Sequence, residues 1–274
     1  MAIGIAMVLL VVAAVYFLVP IYWLIVNATK TQPDLIATNG FWFSTWNLGT
    51  NLSELFSRDG GIFLRWALNS LLYAGLGALV GTFLSAMCGY ALAKYTFRGR
   101  EALFALVLGG VLVPATALAL PLFLIFARVG LTDTYWSVFL PSVVSPFGVY
   151  LSRIFAAASV PDELIDAARM DGASEWRVFS TVALRLMSPA LVTIFLFQFV
   201  VIWNNFLLPL IMLRSSELWP ITYGLFSWQS QVSRDPSLQI LTVTGSLVSV
   251  VPLIITFLVL QRYWQAGLTA GSDR

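Results

Sequence analysis

The sequence predicts an all-α polytopic membrane protein that crosses the bilayer six times. Of its 274 residues, 59% are hydrophobic and only 10% are charged, whereas soluble globular domains typically carry about 25% charged residues. Apolar runs long enough to cross about 30 Å of hydrocarbon recur along the chain. We therefore expect one transmembrane domain over residues 1–274, with no separate soluble domain.

The spans follow from those apolar runs. The first run has no Lys or Arg before Lys30, which argues against a cleaved signal peptide and for a retained span. Residues 27–62 follow as a predicted outer loop, with Trp42 and Trp46 suited to the membrane interface. The predicted spans are residues 3–26, 63–93, 102–127, 136–157, 188–212 and 238–260.

The second span carries small residues at every fourth position: Gly77, Gly81, Ser85 and Gly89. This spacing places them on one helix face, where small side chains let another helix approach closely in lipid. We expect a packing seam at this face.

Prolines interrupt the next two spans. Pro114 and Pro121 lie in the third, and Pro141 and Pro146 in the fourth. A proline frees a backbone carbonyl and kinks a helix. Such kinks are compatible with hinges or a translocation path, and equally with simple packing bends.

Positive charges orient the six spans. Short loops rich in Lys and Arg face the cytoplasm, so the basic turn with Lys94, Arg98 and Arg100 is predicted inside, together with both chain termini. Nine of the 15 Lys and Arg residues then lie inside, and the remaining residues lie outside: Lys30, Arg58, Arg65, Arg128, Arg214 and Arg234.

One long polar segment, residues 159–187, breaks the apolar pattern. Its charges are too dense for the hydrocarbon, where each costs about 2.5–3.5 kcal/mol at the centre of a span. Between Asp162 and Arg177 they are Asp162, Glu163, Asp166, Arg169, Asp171, Glu175 and Arg177. We therefore place the polar segment outside the lipid.

The polar segment is predicted to form a helix, a turn and a second helix. Ser159 has the spacing of a cap for the first helix, with Pro161 in its first turn. Gly172 is the expected break, because glycine accepts the left-handed conformation that ends helices. Ser174 can cap the second helix, whose apolar residues recur at helical spacing: Trp176, Phe179, Val182, Ala183 and Leu186.

Several classes of chemistry are excluded. The chain has no histidine and one cysteine, Cys88, which removes histidine-based catalysis, histidine metal sites and an internal disulfide. A phosphate-binding P-loop needs a lysine after a glycine, but Lys30 and Lys94 follow Thr29 and Ala93. The net charge of +2 does not indicate nucleic-acid binding.

The polar segment and its surroundings resemble a known family. The strings Pro161-Asp162-Glu163-Leu164, Asp166-Ala167-Ala168, Asp171-Gly172-Ala173 and Ser188-Pro189-Ala190-Leu191 resemble the "EAA" loop of ABC-importer permeases, and more narrowly the MalG-type permeases of carbohydrate uptake. Two positions depart from that pattern: Asp166 replaces a glutamate, and Arg185 stands where the family usually has a proline.

The resemblance implies a type I ABC importer permease in a bacterial or archaeal inner membrane. It implies no catalytic residue and no cofactor in this chain, with ATP and Mg²⁺ bound by two partner ATP-binding subunits. The further implied partners are a second, MalF-like permease, an extracytoplasmic solute-binding protein and membrane lipid. In the family, this loop contains a coupling helix that docks on the ATP-binding subunit. The expected coupling residues are Glu163, Asp166, Ala167, Ala168, Arg169, Asp171 and Gly172.

The fifth span offers candidate substrate contacts in Gln198, Trp203, Asn204 and Asn205. Amides and a flat aromatic face suit the hydroxyl groups and C–H faces of a sugar, although amides also hydrogen-bond between helices. The expected substrate is a sugar or oligosaccharide. The alternatives are a permease for another solute, such as a glycerol phosphate or an amino acid, a membrane scaffold, and a secondary transporter. The last is disfavoured because no ionisable residue lies well inside a span.

Overall fold

The computed structural model describes residues 2–269, and all of the regular secondary structure in that range is helical. The α-helices are α1 Ala2–Ala28, α2 Gln32–Ala37, α3 Leu48–Ser57, α4 Ile62–Leu71, α5 Gly77–Lys94, α6 Arg100–Leu112, α7 Ala115–Arg128, α8 Tyr135–Ser142, α9 Pro146–Ser159, α10 Asp162–Met170, α11 Glu175–Val178, α12 Leu184–Leu186, α13 Ser188–Trp203, α14 Leu207–Met212, α15 Ile221–Gln231 and α16 Ser237–Thr269. Two π-helical turns, Leu72–Leu76 and Phe179–Ala183, join α4 to α5 and α11 to α12. Arg274, which the charge count placed inside, falls outside the described range.

Four stretches in that range are long and apolar enough to cross a membrane: Gly4–Ala28, Ile62–Lys94, Tyr135–Ser159 and Ser237–Gln261. Two bent helix pairs raise the number to six if each pair forms one span. The first pair, α6 and α7, bends by 102°, and the second, Glu175–Leu186 with α13, bends by 80°. The predicted all-α membrane class is confirmed, and the structure allows between four and six spans.

The bend between α6 and α7 occurs at Val113 and Pro114, where the sequence predicted an interruption. Pro121, in contrast, lies inside α7 without ending it. The second bend occurs at Met187, although Arg185 occupies the position at which the family usually has a proline. Pro189 in the first turn of α13 lacks an N–H group, so the chain bends without a proline at position 185.

The predicted fifth span is shorter than expected. Helix α13 ends at Trp203, and its 16 residues reach about 24 Å. Asn204, Asn205 and Phe206 separate it from α14. The loop regions are more helical than predicted, since α2 and α3 lie within residues 27–62 and α15 lies between the fifth and sixth spans.

The described chain forms two compact units. One unit contains the residues up to Ala67 together with Ile221–Leu253. In it, the indole of Trp66 lies against Gly224, where an added Cβ would meet the ring at 2.1 Å, and 4.8 Å from the ring of Trp228. An ion pair of 2.5 Å joins Arg58 to Asp235.

The other unit contains Leu68–Pro220 and the end of α16, and the predicted small-residue seam organises its packing. A Cβ on Gly81 would lie 1.9 Å from the amide nitrogen of Gln198 on α13, and a Cβ on Gly89 would lie 2.4 Å from Cβ of Ser152 on α9. The Ser85 side chain faces the break between α8 and α9. The seam is therefore confirmed, and it brings α5 against both α9 and α13.

We predict that Gly89→Ala destabilises the protein, because the new Cβ would also lie 2.6 Å from the backbone nitrogen of Arg153, which cannot rotate away. Overpacking of this kind costs about 1–3 kcal/mol. The control is Gly109→Ala in α6, where nothing lies within 4 Å of an added Cβ. Thermal unfolding in detergent should show a lower Tm for Gly89→Ala alone. Equal Tm values for the two variants would contradict this account.

Candidate functional site

The polar segment folds as two helices joined by a tight turn. Helix α10 ends at Met170, and Gly172 follows with a φ of +82°, in the left-handed region. Two backbone bonds close the turn, from Gly172 N to Arg169 O and from Ala173 N to Ala168 O. The Ser174 hydroxyl then accepts a bond of 3.4 Å from Arg177 N and caps α11. The predicted break at Gly172 and cap at Ser174 are confirmed.

The predicted cap at Ser159 is wrong. Helix α9 continues through Ser159, and Pro161 takes the capping position of α10 without a side-chain cap. Val160 and Pro161 have extended backbone conformations. The reason lies in the proline, which disfavours a helical conformation of Val160 and so separates the two helices.

One face of the polar segment is anchored in the second unit. Ile165, Val178 and Phe179 are buried in one apolar cluster with the ends of α5 and α9. The other buried members of that cluster are Ala86, Tyr90, Ala156, Val160, Ala183 and Met187. The Tyr90 ring lies 5.4 Å from the ring of Phe179. Burial of an apolar side chain of this size stabilises by about 1.5–3 kcal/mol, so the anchored face fixes the orientation of α10.

The opposite face of α10 is open. Glu163, Asp166 and Ala167 are exposed, and Met170 has 88% of its surface accessible. Leu164 at one edge and Trp176 on α11 are also exposed, at 46% and 57%. Ala168 is different, because it is half-buried and packs against the apolar cluster. Within the predicted coupling set, Ala167 therefore lies on the open face and Ala168 on the anchored one.

The charged residues of the polar segment bond largely to each other. The Arg169 guanidinium donates two bonds to the Glu175 carboxylate, at 2.8 and 3.1 Å, and a third of 3.1 Å to Asp166. These bonds raise the pKa of Arg169. The bonds from Arg169 and then from Tyr95 lower the pKa of Glu175. Arg169 thus ties the two helices of the segment together.

Unlike Arg169, the acidic residues Glu163 and Asp171 form no ion pairs within the polar segment. Both are exposed, and neither forms an ion pair with any residue of the described chain. Gly172 is exposed as well, with nothing within 4 Å of a built Cβ. These three predicted coupling residues are therefore available to a partner surface.

Two residues that the sequence analysis did not connect with the polar segment also contact it. Lys94, the last residue of α5, forms an ion pair of 2.7 Å with Asp162 in the first turn of α10. The hydroxyl of Tyr95, the next residue, donates a bond of 2.5 Å to Glu175. The partners lie 68 and 80 positions apart in the sequence, so no local pattern predicts these contacts.

Two of the predicted substrate-path residues are buried within the second unit. Gln198 is 7% exposed, and its amide nitrogen donates a bond of 3.0 Å to the carbonyl of Ser142. Ser142 lies four positions before Pro146, which has no N–H to offer it, so Gln198 satisfies an acceptor that a proline left free. Trp203 is 3% exposed and stacks on Phe199 at 5.6 Å. Gln198 therefore joins α13 to the end of α8, whereas the stacking of Trp203 on Phe199 lies within α13.

Asn204 and Asn205 lie at the break that follows α13. Asn204 is exposed and donates a bond of 2.8 Å to Val200 O. The Asn205 side chain accepts a bond of 3.4 Å from Leu208 N in the first turn of α14. The predicted substrate set is therefore divided between the packed helix and the break at its end.

Within residues 2–269, no group of three or more Cys, Asp or Glu side chains could hold a metal ion. Met170 and Trp176 are exposed on the polar segment, and methionine and aromatic side chains are enriched at protein–protein interfaces.

We predict that Ala168→Leu and Ala167→Leu have different effects on stability. A larger side chain at position 168 meets the packed cluster and should cost about 1–3 kcal/mol, whereas position 167 has room. Both substitutions keep a helix-forming residue, so helix propensity is matched. Unfolding in detergent measures the difference. Equal stability of the two variants would contradict the assignment of the two faces.

The sequence of this chain is similar to those of known transport proteins. Residues 67–269 match the family described as "Binding-protein-dependent transport system inner membrane component". The chain is 36% identical over 266 residues to the arabinooligosaccharides transport system permease protein AraQ of Bacillus subtilis (strain 168), covering 93% of this chain and 90% of the relative. It is 28% identical to the lactose transport system permease protein LacG of Rhizobium radiobacter, covering 93% and 91%.

A solved structure has the same fold. A chain from a bacterial ABC transporter involved in the import of the acidic polysaccharide alginate superposes with a TM-score of 0.82, covering 96% of both chains at 22% identity. The match over residues 67–269 and the 36% identity to AraQ assign the protein to the family of inner membrane components of binding-protein-dependent transport systems.

Proposed function

We propose that this protein is the permease subunit of an ATP-driven ABC importer that carries a sugar or oligosaccharide delivered by a solute-binding protein. The similar permeases are named for arabinooligosaccharides and for lactose, and the similar structure belongs to an importer of a polysaccharide. These names favour a carbohydrate over the alternatives of a glycerol phosphate or an amino acid.

The proposed coupling role is supported by helix α10, which has one face packed against the apolar cluster and the opposite face exposed. Ile165 and Ala168 lie against the apolar cluster, while Ala167 and Met170 on the other side are exposed. Met170 is 88% exposed, and methionine is common at binding surfaces that adapt to a partner. Its flexible apolar side chain suits a groove on a partner protein. We assign the open face to docking on an ATP-binding subunit.

The exposed acids border this surface. Glu163 and Asp171, which have no ion pair within the described chain, flank Ala167 on the open face. Rim charges of this kind steer association and set the register of an interface more than they add affinity. We therefore expect basic groups on the docking groove of the ATP-binding subunit.

The energy for transport comes from ATP hydrolysis by the ATP-binding subunits. Lys30 and Lys94 both lack the preceding glycine of a P-loop, so ATP and Mg²⁺ belong to two ATP-binding subunits. A second permease and an extracytoplasmic solute-binding protein complete the assembly. The polar segment and both termini lie in the cytoplasm, and the chain itself catalyses no reaction.

The mechanism is a change between two arrangements of packed helices. Closure of the ATP-binding subunits displaces the docked α10. Because the anchored face of α10 is packed into the apolar cluster, the displacement moves that cluster as one body. The transport path then opens alternately to the two sides of the membrane.

We predict that Ala167→Trp lowers ATP-driven uptake at least about tenfold, since losing about 1.4 kcal/mol of docking free energy weakens the contact tenfold. The control is Ala37→Trp, a bulky change at an exposed alanine on the short helix α2. Copurification of the ATP-binding subunits and uptake in proteoliposomes are measured together. Normal uptake by Ala167→Trp would argue against docking at this face.

Gly172 is a poorer position for such a test, because a side chain there is strained at a φ of +82° whatever its contacts.

The substrate class is tested with a panel of labelled solutes in cells that express the complete transporter. We expect uptake of arabinooligosaccharides, lactose or another sugar, and none of glycerol phosphate or amino acids. Uptake of a glycerol phosphate alone would support the non-sugar alternative. Uptake that persists without ATP-binding subunits and depends on an ion gradient would support a secondary transporter instead.

A further inference from the structure

We infer that Lys94 and Tyr95, at the end of α5, are positioning residues that fasten the polar segment to the second span, so that movement of α10 is transmitted to α5. This inference rests on the proposed docking of α10. The contacts of Lys94 and Tyr95 connect α5 directly to the polar segment. Along the chain, in contrast, 67 residues separate the end of α5 at position 94 from the start of α10 at position 162.

The chain changes direction at both covalent connections of the polar segment. Between α9 and α10 the chain passes through Val160 and Pro161 in extended conformations, with ψ values of 99° and 140°. At the other end, the chain bends by 80° between Leu186 and Ser188. Met187 still donates to Ala183 O and accepts from Leu191 N, but the change of helix direction at each joint means that neither transmits a rotation of α10 as one straight helix would. Side-chain contacts between α5 and the polar segment add stiffness to these connections.

The first contact is the ion pair between Lys94 Nζ and Asp162 Oδ1 at 2.7 Å. The Lys94 side chain is only 8% exposed, although that of Asp162 is 76% exposed. Partial burial of one partner reduces screening by solvent relative to an ordinary surface pair. Asp162 also lies in the first turn of α10, where its negative charge interacts favourably with the positive end of the helix dipole. The pair therefore holds the N-terminal end of α10 to the end of α5.

The second contact involves α11. Tyr95 donates its hydroxyl hydrogen to Glu175, and the same carboxylate accepts two bonds from Arg169 at the far end of α10. The ring of Tyr95 lies edge-on to Tyr90 at 5.8 Å. A hydrogen bond to a charged acceptor is stronger than one between neutral groups. Tyr95 thus reaches both helices of the polar segment through one carboxylate.

Together, these contacts resist rotation as well as separation. A single contact would let α10 pivot about it, but Lys94 and Tyr95 hold the segment at two places, and the packing of Tyr90 on Phe179 holds it at a third. Contacts at three places restrain the orientation of a body more than one contact does. Because all three start from α5, the second span and the polar segment move together.

The test uses Cys88, the single cysteine of the chain, as a reporter on α5. In the complete purified transporter, the rate at which a maleimide labels Cys88 is followed by peptide mass spectrometry, with and without a non-hydrolysable ATP analogue. We expect the analogue to change this rate in the natural protein. In Lys94→Asp, which places like charges opposite each other, the change should shrink about threefold or more. The reversed pair Lys94→Asp with Asp162→Lys should restore it.

Tyr95→Phe is a second variant that keeps the ring and removes only the hydroxyl, and we expect a reduced response there too. Its control is Tyr22→Phe, which removes a 2.9 Å bond to Phe41 O in the first unit. The matched control for the charge reversal is Arg58→Asp with Asp235→Arg, an exchange of the 2.5 Å ion pair of the first unit. Neither control should alter the response of Cys88.

The outcomes separate the inference from the proposed function. If the ATP-binding subunits copurify and uptake proceeds, but Cys88 responds equally in the natural protein, Lys94→Asp and Tyr95→Phe, the inference is wrong and the proposed function stands. The same conclusion follows if Cys88 shows no response in the natural protein. If no ATP-binding subunit copurifies with the natural protein, the proposed function fails first.

Discussion

The packing of Ile165, Val178 and Phe179 against Tyr90 is the constraint on which the account of this protein depends. It turns a highly charged segment into a structured projection with one face fixed and one face free. The bonds of Arg169 to Glu175 and Asp166 are exposed ion pairs, each contributing little to stability, so they do not fix the segment without the apolar anchor. With it, side chains such as Ala167 and Met170 are held in a defined orientation toward a partner.

The membrane-embedded part solves a different problem, because lipid removes the hydrophobic force that drives helices together in water. Gly81 and Gly89 let α5 approach α13 and α9 closely, and buried hydrogen bonds such as that from Gln198 to Ser142 satisfy groups that proline leaves free. The residues that contact the polar segment lie at the end of the same helix, α5. The small-residue seam and the projection are thus two ends of one packed unit.

The features that could be predicted from the sequence are those that depend on residues close together in the chain. Glycine spacing identified the seam, charge density identified the polar segment, and Gly172 and Ser174 identified its turn and second helix. Ser159 was misjudged because a cap was assigned from spacing, although Pro161 had already separated the helices. The contacts of Lys94 and Tyr95, the burial of Gln198 and the inward position of Ala168 depend on residues distant in sequence, and no single-sequence pattern contains them.

The central claim is that α10 presents one face to its own unit and the other to an ATP-binding subunit. The direct measurement is cross-linking in the assembled transporter, with Cys88→Ser as the background and a single cysteine introduced at position 167 or 168. A short thiol-reactive photo-cross-linker attached at Ala167→Cys should join this chain to the ATP-binding subunit, and the same reagent offered to Ala168→Cys should not. Cross-linking at neither position, or equally at both, would contradict the account.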